Sequence, residues 1–562
     1  MTEFDADVLV LGGGPAGAWA ALAAAAAGAR VLLVDKARCG TSGPTARGGA
    51  ILWNIPAGPA RDEAVAQNFA HGGGLGDPEW MYRVLDETHR RIGQLVHGSL
   101  RSPGERIGRG MVAAEQPTRI RLDGPKYLGR LRRSMVIAGV RILDYHPALQ
   151  LLTDGDGIVS GAAGVALGGA AHSWTARARA VVLATGGCAF LSGGAGTDVD
   201  TGDGLLMGAE AGADLSGMEF SNAYSLVPIG NSGPASMSGQ RPAGTTVFSA
   251  EQVMHFATLY DESRSVLYEH GGGSRVQAFT AIAGGRRVYA ALDELSDAAR
   301  DGLMRTGGPE DLLRDGDQVD SLREELLRHQ DSAGRVPVRA VLEGTVRGTG
   351  GLWLAGPDCA TAVPGLYGAG DVTTREPLTG AVSGVGGQNG AWAVSSGAWA
   401  GQAAARFAGG RKRLGRTRPV PGAGLGDRAR IDPRAVVGLV QEHTLPLRRS
   451  YWRSDGSLRD SIGELDGMWP GAEFDLGGSG AERLRARQAA ALLAVARWTK
   501  YSALARTETR GMHRRTDHPG AGSDWRVRLI SGGLDSVWVR PERTAVPRTM
   551  RGPVESAAPE AS

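Results

Sequence analysis

Three glycines, Gly12, Gly14 and Gly17, stand in G-x-G-x-x-G register between the apolar run Val8 to Leu11 and an alanine-rich helical segment, and a second apolar run, Val31 to Val34, ends in Asp35. Glycines at this spacing suit a phosphate cradle: Gly12 permits a tight turn, Gly14 lets a pyrophosphate approach the backbone, and Gly17 lets helix and strand pack closely. Pro15 and Ala16 complete the loop. The helix that follows offers free N–H donors and partial positive charge to an anion. Asp35 is placed to accept hydrogen bonds from a ribose. A strand before the glycines, a helix after them and an acid at the far end predict a βαβ dinucleotide-binding unit rather than a glycine-rich turn.

Three further segments read as parts of the same domain. Ala180 to Ala184 (AVVLA) is a fully apolar strand running into Thr185-Gly186-Gly187, and Asp200-Thr201-Gly202-Asp203-Gly204 precedes an amphipathic helix beginning near Leu205. Far downstream, Gly365 to Asp371 (GLYGAGD) gives a short strand ending in glycine and an acid. It is followed by Gly384 to Gly390 (GVGGQNG) and a helix through Ala391 to Phe407.

The expected fold is α/β: a discontinuous Rossmann-like domain over residues 1–225 and 341–410, with an inserted α+β capping domain over 226–340. Within the insertion, FSAEQVMHFATLYDESRSVLYEHG reads as helix, VYAALDEL as strand into turn, and DLLRDGDQVDSLREELLRHQ as a charged helix. Basic Gly409 to Gly424 reads as a linker. Residues 425–530 read as a helical C-terminal domain, and the proline-rich tail 541–562 is expected to be disordered.

The 562 residues imply two to four domains. Lys+Arg 62 against Asp+Glu 59 is nearly balanced, which argues against a nucleic-acid or membrane-surface protein and for a small-molecule substrate. Cys39, Cys188 and Cys359 lie far apart, without the spacing of a disulfide framework, metal site or iron–sulfur cluster. The N-terminus MTEFDADV lacks a signal peptide's basic segment, and Ala20 to Ala27 is far shorter than the roughly 20 residues of a membrane span. A cytoplasmic protein without a membrane span is expected.

Taken together, the motifs resemble the flavoprotein subunit family of succinate dehydrogenase and fumarate reductase, which includes L-aspartate oxidase and the adenylylsulfate reductase flavoprotein. VLGGGPAG, TARGGA at Thr45 to Ala50, VVLATGG at Val181 to Gly187, DTGDG at Asp200 to Gly204, GLYGAGD and RTETRGMHRRTDHP at Arg506 to Pro519 occur in family order over almost the whole chain. The resemblance implies FAD as the dinucleotide. Gly12, Gly14 and Gly17 would hold the pyrophosphate and Asp35 the ribose. Lys36, Thr41, Ser42, Gly48 and Gly49 would run past the flavin. Ala148 and Ala184, Thr185 and Gly186 would line the adenosine side, with Asp203 close by. Gly370 and Asp371 would meet the ribityl chain, and Gln388, Asn389 and Ala391 the pyrimidine end of the ring.

The departures from the family pattern carry as much information. Succinate dehydrogenases place a flavin-linking histidine where this chain has Ser42, so the resemblance implies non-covalent FAD. Ala223-Tyr224-Ser225-Leu226 stands for F-H-P-T, Val346-Arg347 for the histidine before the second glycine doublet, and Thr379 to Gly387 carries no counterpart of the substrate-clamping arginine. Two carboxylates need cations or strong donors when they leave water. The departures therefore argue against succinate, fumarate or aspartate as substrate.

Candidate catalytic residues are Arg347, Arg241, Tyr224 and Asn54. Arg347, between glycines, is placed to meet an anion, and Arg241 either faces substrate or forms a surface ion pair. Tyr224 either donates a proton or packs in the core, the commoner place for an aromatic flanked by Ala223 and Leu226. His513 reads as fastening the helical domain, and Glu508 with Arg510 as an internal ion pair. The expected activity is two-electron transfer between a small organic molecule and FAD, possessing oxygen or a separate electron-transfer protein as electron acceptor. The alternatives are a flavoprotein subunit feeding an iron–sulfur partner, as in adenylylsulfate reductase, and a scaffold that retains FAD without chemistry.

Overall fold

The computed structural model describes residues 2–97, 112–116, 119–169, 171–229, 257–268, 275–291, 330–332, 334–384, 387–411 and 414–542. The first apolar run extends into the strand Thr2–Leu11, which lies inside an eight-stranded sheet. It pairs in parallel with Val31–Val34 and with His172–Leu183, Val8 opposite Val31 and Leu9 opposite Val181. Leu366–Gly368 also joins His172–Leu183 in parallel, Leu366 opposite Val181. Segments distant in sequence are thus neighbours in one sheet.

Parallel strands need cover on both faces, and their pleat divides the task. Val8, Val10, Leu33 and Val182 pack with the helices Pro15–Ala26 and Gln388–Gly410. Leu9, Leu11, Val181 and Leu183 share a core with Leu492, Val495 and Trp498 of the helix Gly480–Ala505. The first two helices approach closely because their contact is built from small residues: a Cβ on Gly397 would run into the Ala16 carbonyl, and one on Gly401 into that of Ala20.

The insertion forms a five-stranded antiparallel sheet in the order Ala223–Pro228, Val336–Glu343, Val288–Ala291, Thr258–Asp261, Val266–Tyr268. Its strands begin at Ala223 and end at Glu343, a few residues outside the expected 226–340. The expected helix across FSAEQVMHFATLYDESRSVLYEHG is corrected where it is described: Thr258–Asp261 and Val266–Tyr268 are paired strands. The reason is local. Asp261 Oδ1 accepts from the amides of Ser263 and Ser265, at 2.9 Å and 3.1 Å, and Arg264 takes a positive φ, so the chain turns back instead of continuing a helix. The charged segment DLLRDGDQVDSLREELLRHQ lies outside the described residues.

Two further readings change. The basic stretch after Gly410 is no loose linker: Arg418–Pro419 pairs with Thr153 and Leu152 at the sheet edge, and Arg411 donates to Asp154 Oδ2 at 2.6 Å. The C-terminal region has the helices Pro433–Thr444, Asp455–Phe474 and Gly480–Ala505, but it ends in the hairpin Leu529–Gly532 and Trp538–Pro541. That hairpin completes a four-stranded sheet with Leu215–Ser216 and Gly351–Leu352. The tail expected from residue 541 falls, beyond 542, outside the described residues. Among the described residues no helix is long and apolar enough to cross a membrane.

Candidate active site

A cavity of about 510 Å³ runs along the ends of the parallel strands and gathers the chemistry-bearing segments. At one end lies the glycine loop. Gly12 has φ +107°, and a Cβ there would meet the Ala184 carbonyl. A Cβ on Gly17 would strike Gly12 O, so this glycine serves packing behind the loop. Nothing lies within 4 Å of where a Cβ on Gly14 would point, and Gly14 lines the cavity. The helix beginning at Pro15 presents its N-terminal end beside it.

Asp35 braces this loop. Its Oδ2 accepts from Gly13 N at 2.6 Å and its Oδ1 from Ala37 N at 2.7 Å. Burial raises its pKa, and the two amides oppose that rise. Lys36 donates to Asp203 Oδ2 at 2.7 Å and to Thr201 Oγ1 at 3.0 Å, linking the second strand to the D-T-G-D-G turn.

Several buried polar atoms on the cavity wall have no hydrogen-bond partner: Thr185 Oγ1, Asp200 Oδ2, and both Oδ1 and Nδ2 of Asn389. Burial and then the charge of Asp371 raise the Asp200 pKa well above the carboxylate range. Buried polar groups left unpaired are costly. A polar ligand threading from Gly14 past Asp200 to Asn389 satisfies them. This arrangement fits a flavin dinucleotide, whose pyrophosphate suits the glycine loop, whose hydroxyls suit the acids, and whose ring amide edge suits the Asn389 donor and acceptor.

Other cofactor candidates on the wall are Pro15, Ala16, Ser42, Gly48, Gly49, Ala148, Ala184, Gly186, Gly370 and Asp371. The remaining candidates lie off it. Thr41 Oγ1 donates to the Arg38 carbonyl at 2.8 Å, Gln388 Nε2 donates to Asn68 Oδ1 at 3.0 Å, and Ala391 is buried among Trp53, Leu378 and Trp392.

Of the catalytic candidates, Arg347 lines the cavity, its Nε 3.5 Å from Glu343 Oε1. Its turn is fixed by wholly buried Arg375, which donates to the carbonyls of Thr345, Val346 and Gly348 and to Asp371. Tyr224 does not reach the cavity: its hydroxyl donates to Leu445 O at 2.9 Å, its ring packs on Tyr451 and Phe279, and burial pushes the phenol up. The proton-donor role is corrected to a core role. Asn54 is buried off the wall, its Oδ1 3.2 Å from His89 Nδ1. Arg241 lies outside the described residues. His513 and the Glu508–Arg510 pair sit in a buried network with Glu219 and Arg506, joining the helical region to the sheet.

The sequence reading missed Arg119, Arg121 and Tyr268 on the wall. The signal for the arginines was the alternation in Arg119-Ile120-Arg121-Leu122, which sets both cations on one face of a strand.

Comparison with known proteins agrees with this geometry. Residues 7–231 match the family described as FAD binding domain, and residues 478–534 that described as fumarate reductase flavoprotein C-term. The L-aspartate oxidase of Mycobacterium tuberculosis is 29% identical over 558 residues, covering 94% of this chain and 96% of that protein. In fold, the chain is similar to Mycobacterium smegmatis Sdh1 in complex with UQ1, with TM-score 0.72 and 20% identity over 98% of this chain and 96% of that one. It is also similar to adenylylsulfate reductase from Archaeoglobus fulgidus, with TM-score 0.70 and 19% identity over 98% and 97%.

Fold and site together define an FAD-dependent oxidoreductase. The chain's first 231 residues and its C-terminal region are thus similar to an FAD binding domain and to the C-terminal part of fumarate reductase flavoproteins.

Proposed function

We propose that this protein transfers two electrons, as hydride, between a small organic substrate other than succinate or fumarate and non-covalently held FAD. The observation that carries the reading is the single cavity in which the open side of Gly14, the unpaired Asp200 and Thr185 oxygens and the unpaired Asn389 amide lie on one wall. FAD, when bound, supplies the two-electron centre.

The chain's own residues bind and orient. The Gly12–Gly14 turn and the helix N-terminus meet the pyrophosphate, and Asp35, already fixed by Gly13 N and Ala37 N, has lone pairs left for ribose hydroxyls. Ser42 on the wall offers no imidazole for a covalent bond, which supports a dissociable cofactor. Ile51, Leu52 and Tyr268 line the cavity and would limit water in it once the cofactor is held. Arg347, held by Arg375 through its turn, presents positive charge toward Asp371.

The relatives named L-aspartate oxidase support oxygen as electron acceptor. Aspartate itself carries two carboxylates, and Thr379 to Gly387 supplies no cation to a second one. Purified protein is expected to be yellow, to release FAD on acid denaturation, and to bleach on anaerobic addition of substrate. Colourless folded protein that takes up no added FAD refutes the reading.

A further inference from the structure

Asp35, Asp200, Asp203 and Asp371 all line the cavity, and three of these acids are held by partners. Asp35 accepts from the amides of Gly13 and Ala37, Asp203 from Lys36 and from Thr201 Oγ1 at 2.9 Å, and Asp371 from Arg375. Asp200 differs: it is only 3% exposed, and its Oδ2 has no hydrogen-bond partner among the described residues.

The main chain sets the position of this carboxyl. The Asp200 amide donates to the Thr197 carbonyl at 3.0 Å, the Ala189 amide donates to the Asp200 carbonyl at 2.9 Å, and Cys188 and Thr201 form a bridge beside it. The carboxyl is thereby pressed against the turn at Gly186, where a Cβ would strike Asp200 Oδ1. Gly186 and Asp200 therefore present a bare backbone and an acid together on the cavity wall.

The groups that face Asp200 are Asp371 from the turn after Leu366–Gly368, Lys36 from the end of the second strand, Asp198 and Asp203 from its own segment, and the buried Cys188 thiol. Lys36 is the one cation of this set, and it lies 2.7 Å from Asp203 Oδ2. Arg375 and Arg347 act on Asp371, but Arg375 is engaged by that carboxylate and by three carbonyls, and Arg347 lies 3.5 Å from Glu343. An ionised Asp200 would be a buried anion facing another anion, with a pyrophosphate still to enter. Burial and then the charge of Asp371 accordingly favour the protonated form. A protonated carboxyl carries an O–H donor that a carboxylate lacks.

We infer that Asp200 takes part in the cofactor site as an uncharged acid whose O–H is donated to an acceptor oxygen of the bound dinucleotide. This inference deepens the proposed function and rests on the reading of the cavity as an FAD chamber. Its consequence is a proton-linked affinity. The donated hydrogen bond holds the proton more tightly in the complex than in FAD-free protein. Affinity therefore falls as the pH rises through the point at which the free protein gives the proton up, by up to about tenfold per pH unit. The falling limb lies well above the ordinary carboxylate range, because burial and Asp371 both push in that direction.

The test measures FAD dissociation constants by ultrafiltration between about pH 5.5 and about pH 9, for the wild type, Asp200→Asn and Asp200→Ala. The wild type is expected to bind more weakly toward the alkaline end. Asparagine keeps an N–H donor and cannot ionise, so Asp200→Asn is expected to keep the wild type's acid-side affinity within about threefold and to lose the falling limb. Asp200→Ala, without a donor, is expected to bind at least about tenfold more weakly at the acid end. Should Asp200→Asn fail to fold, Asp200→Ser, a smaller donor that does not ionise, is measured in its place and is expected to show the same flat profile. Wild-type protein on the limb is expected to take up protons as FAD binds, read with a pH indicator in weak buffer.

The inference is overturned if the wild-type profile is flat or falls toward acid, if the asparagine or serine variant keeps the limb, if asparagine costs as much affinity as alanine, or if FAD binding releases protons. A wild-type protein that takes up no FAD at any pH overturns the proposed function and the donor role together. A yellow protein with a flat profile overturns the donor role alone.

Discussion

Arg375 is wholly buried and closes an ion pair onto Asp371 while its remaining donors hold the carbonyls of the turn that carries Arg347. One side chain therefore fixes both an acid and a cation of the cavity wall.

Replacing Arg375 with leucine would leave partly exposed Asp371 without its ion-pair partner and strand three carbonyls. We expect a loss of about 3–5 kcal/mol in stability, as for other broken buried pairs, together with weaker FAD retention. Urea unfolding and the flavin-to-protein absorbance ratio check both. A variant as stable and as yellow as the wild type refutes the positioning role.

The glycines of the first loop should separate by mechanism. Gly14→Val projects its side chain into open cavity and is expected to leave the protein folded but free of FAD. Gly17→Val would strike the Gly12 carbonyl and is expected to lower the melting temperature as well. Circular dichroism with flavin content distinguishes the two. A fully yellow Gly14→Val protein contradicts the cofactor placement.

Asp35→Ala removes the acceptor for two loop amides and for the ribose. FAD affinity is expected to fall about 10- to 100-fold, the size of one or two charge-assisted hydrogen bonds. Ultrafiltration at graded FAD concentrations measures it, and unchanged affinity would count against this role.

Acid stability should report His513. Arg453 donates to its Nδ1 at 2.7 Å, and its Nε2–H donates to the Arg506 carbonyl at 3.0 Å. Burial and then the charge of Arg453 hold its pKa well below the ordinary value, so below about pH 6.5 the unfolded chain binds a proton that the folded chain refuses. Stability is therefore lost as the pH falls, by up to about 1.4 kcal/mol per pH unit from this group. Melting curves between about pH 7.5 and about pH 5.5 should show that limb, and His513→Asn should flatten it. An equally steep limb in the variant assigns the effect elsewhere.

Acid precipitation provides a chemical check on Ser42. We expect the flavin in the supernatant, since the wall offers a hydroxyl there and no imidazole. Flavin retained in the pellet shows a covalent bond. Iron in the purified material, or a co-purifying cysteine-rich chain, would favour the multi-chain alternative.

The cofactor domain was legible because its signals are local: glycines at fixed offsets, an apolar run on each side, an acid at the end. The pattern repeated downstream assigned Leu366–Gly368 to the same domain, and its parallel pairing with His172–Leu183 comes from the structure. The hairpin at Thr258–Tyr268 was missed because an aromatic, apolar segment suits helix or strand until the turn at Asp261 is weighed. Tyr224 was ambiguous for a different reason. Only tertiary packing decides whether a phenol meets a ligand or a backbone carbonyl, and here the carbonyl of Leu445 decides it. The arginines of Arg119–Leu122 were overlooked because a charged alternation reads as a solvated edge until the facing wall is known.

The cradle draws on residues from Leu11 to Ala393, and the final hairpin at Leu529–Pro541 locks against strands formed much earlier in the chain. During synthesis the binding surface is unfinished until most of the polypeptide has left the ribosome. Pigment uptake must then be a late event, and premature termination before the hairpin Leu529–Pro541 yields chains unable to complete the four-stranded sheet.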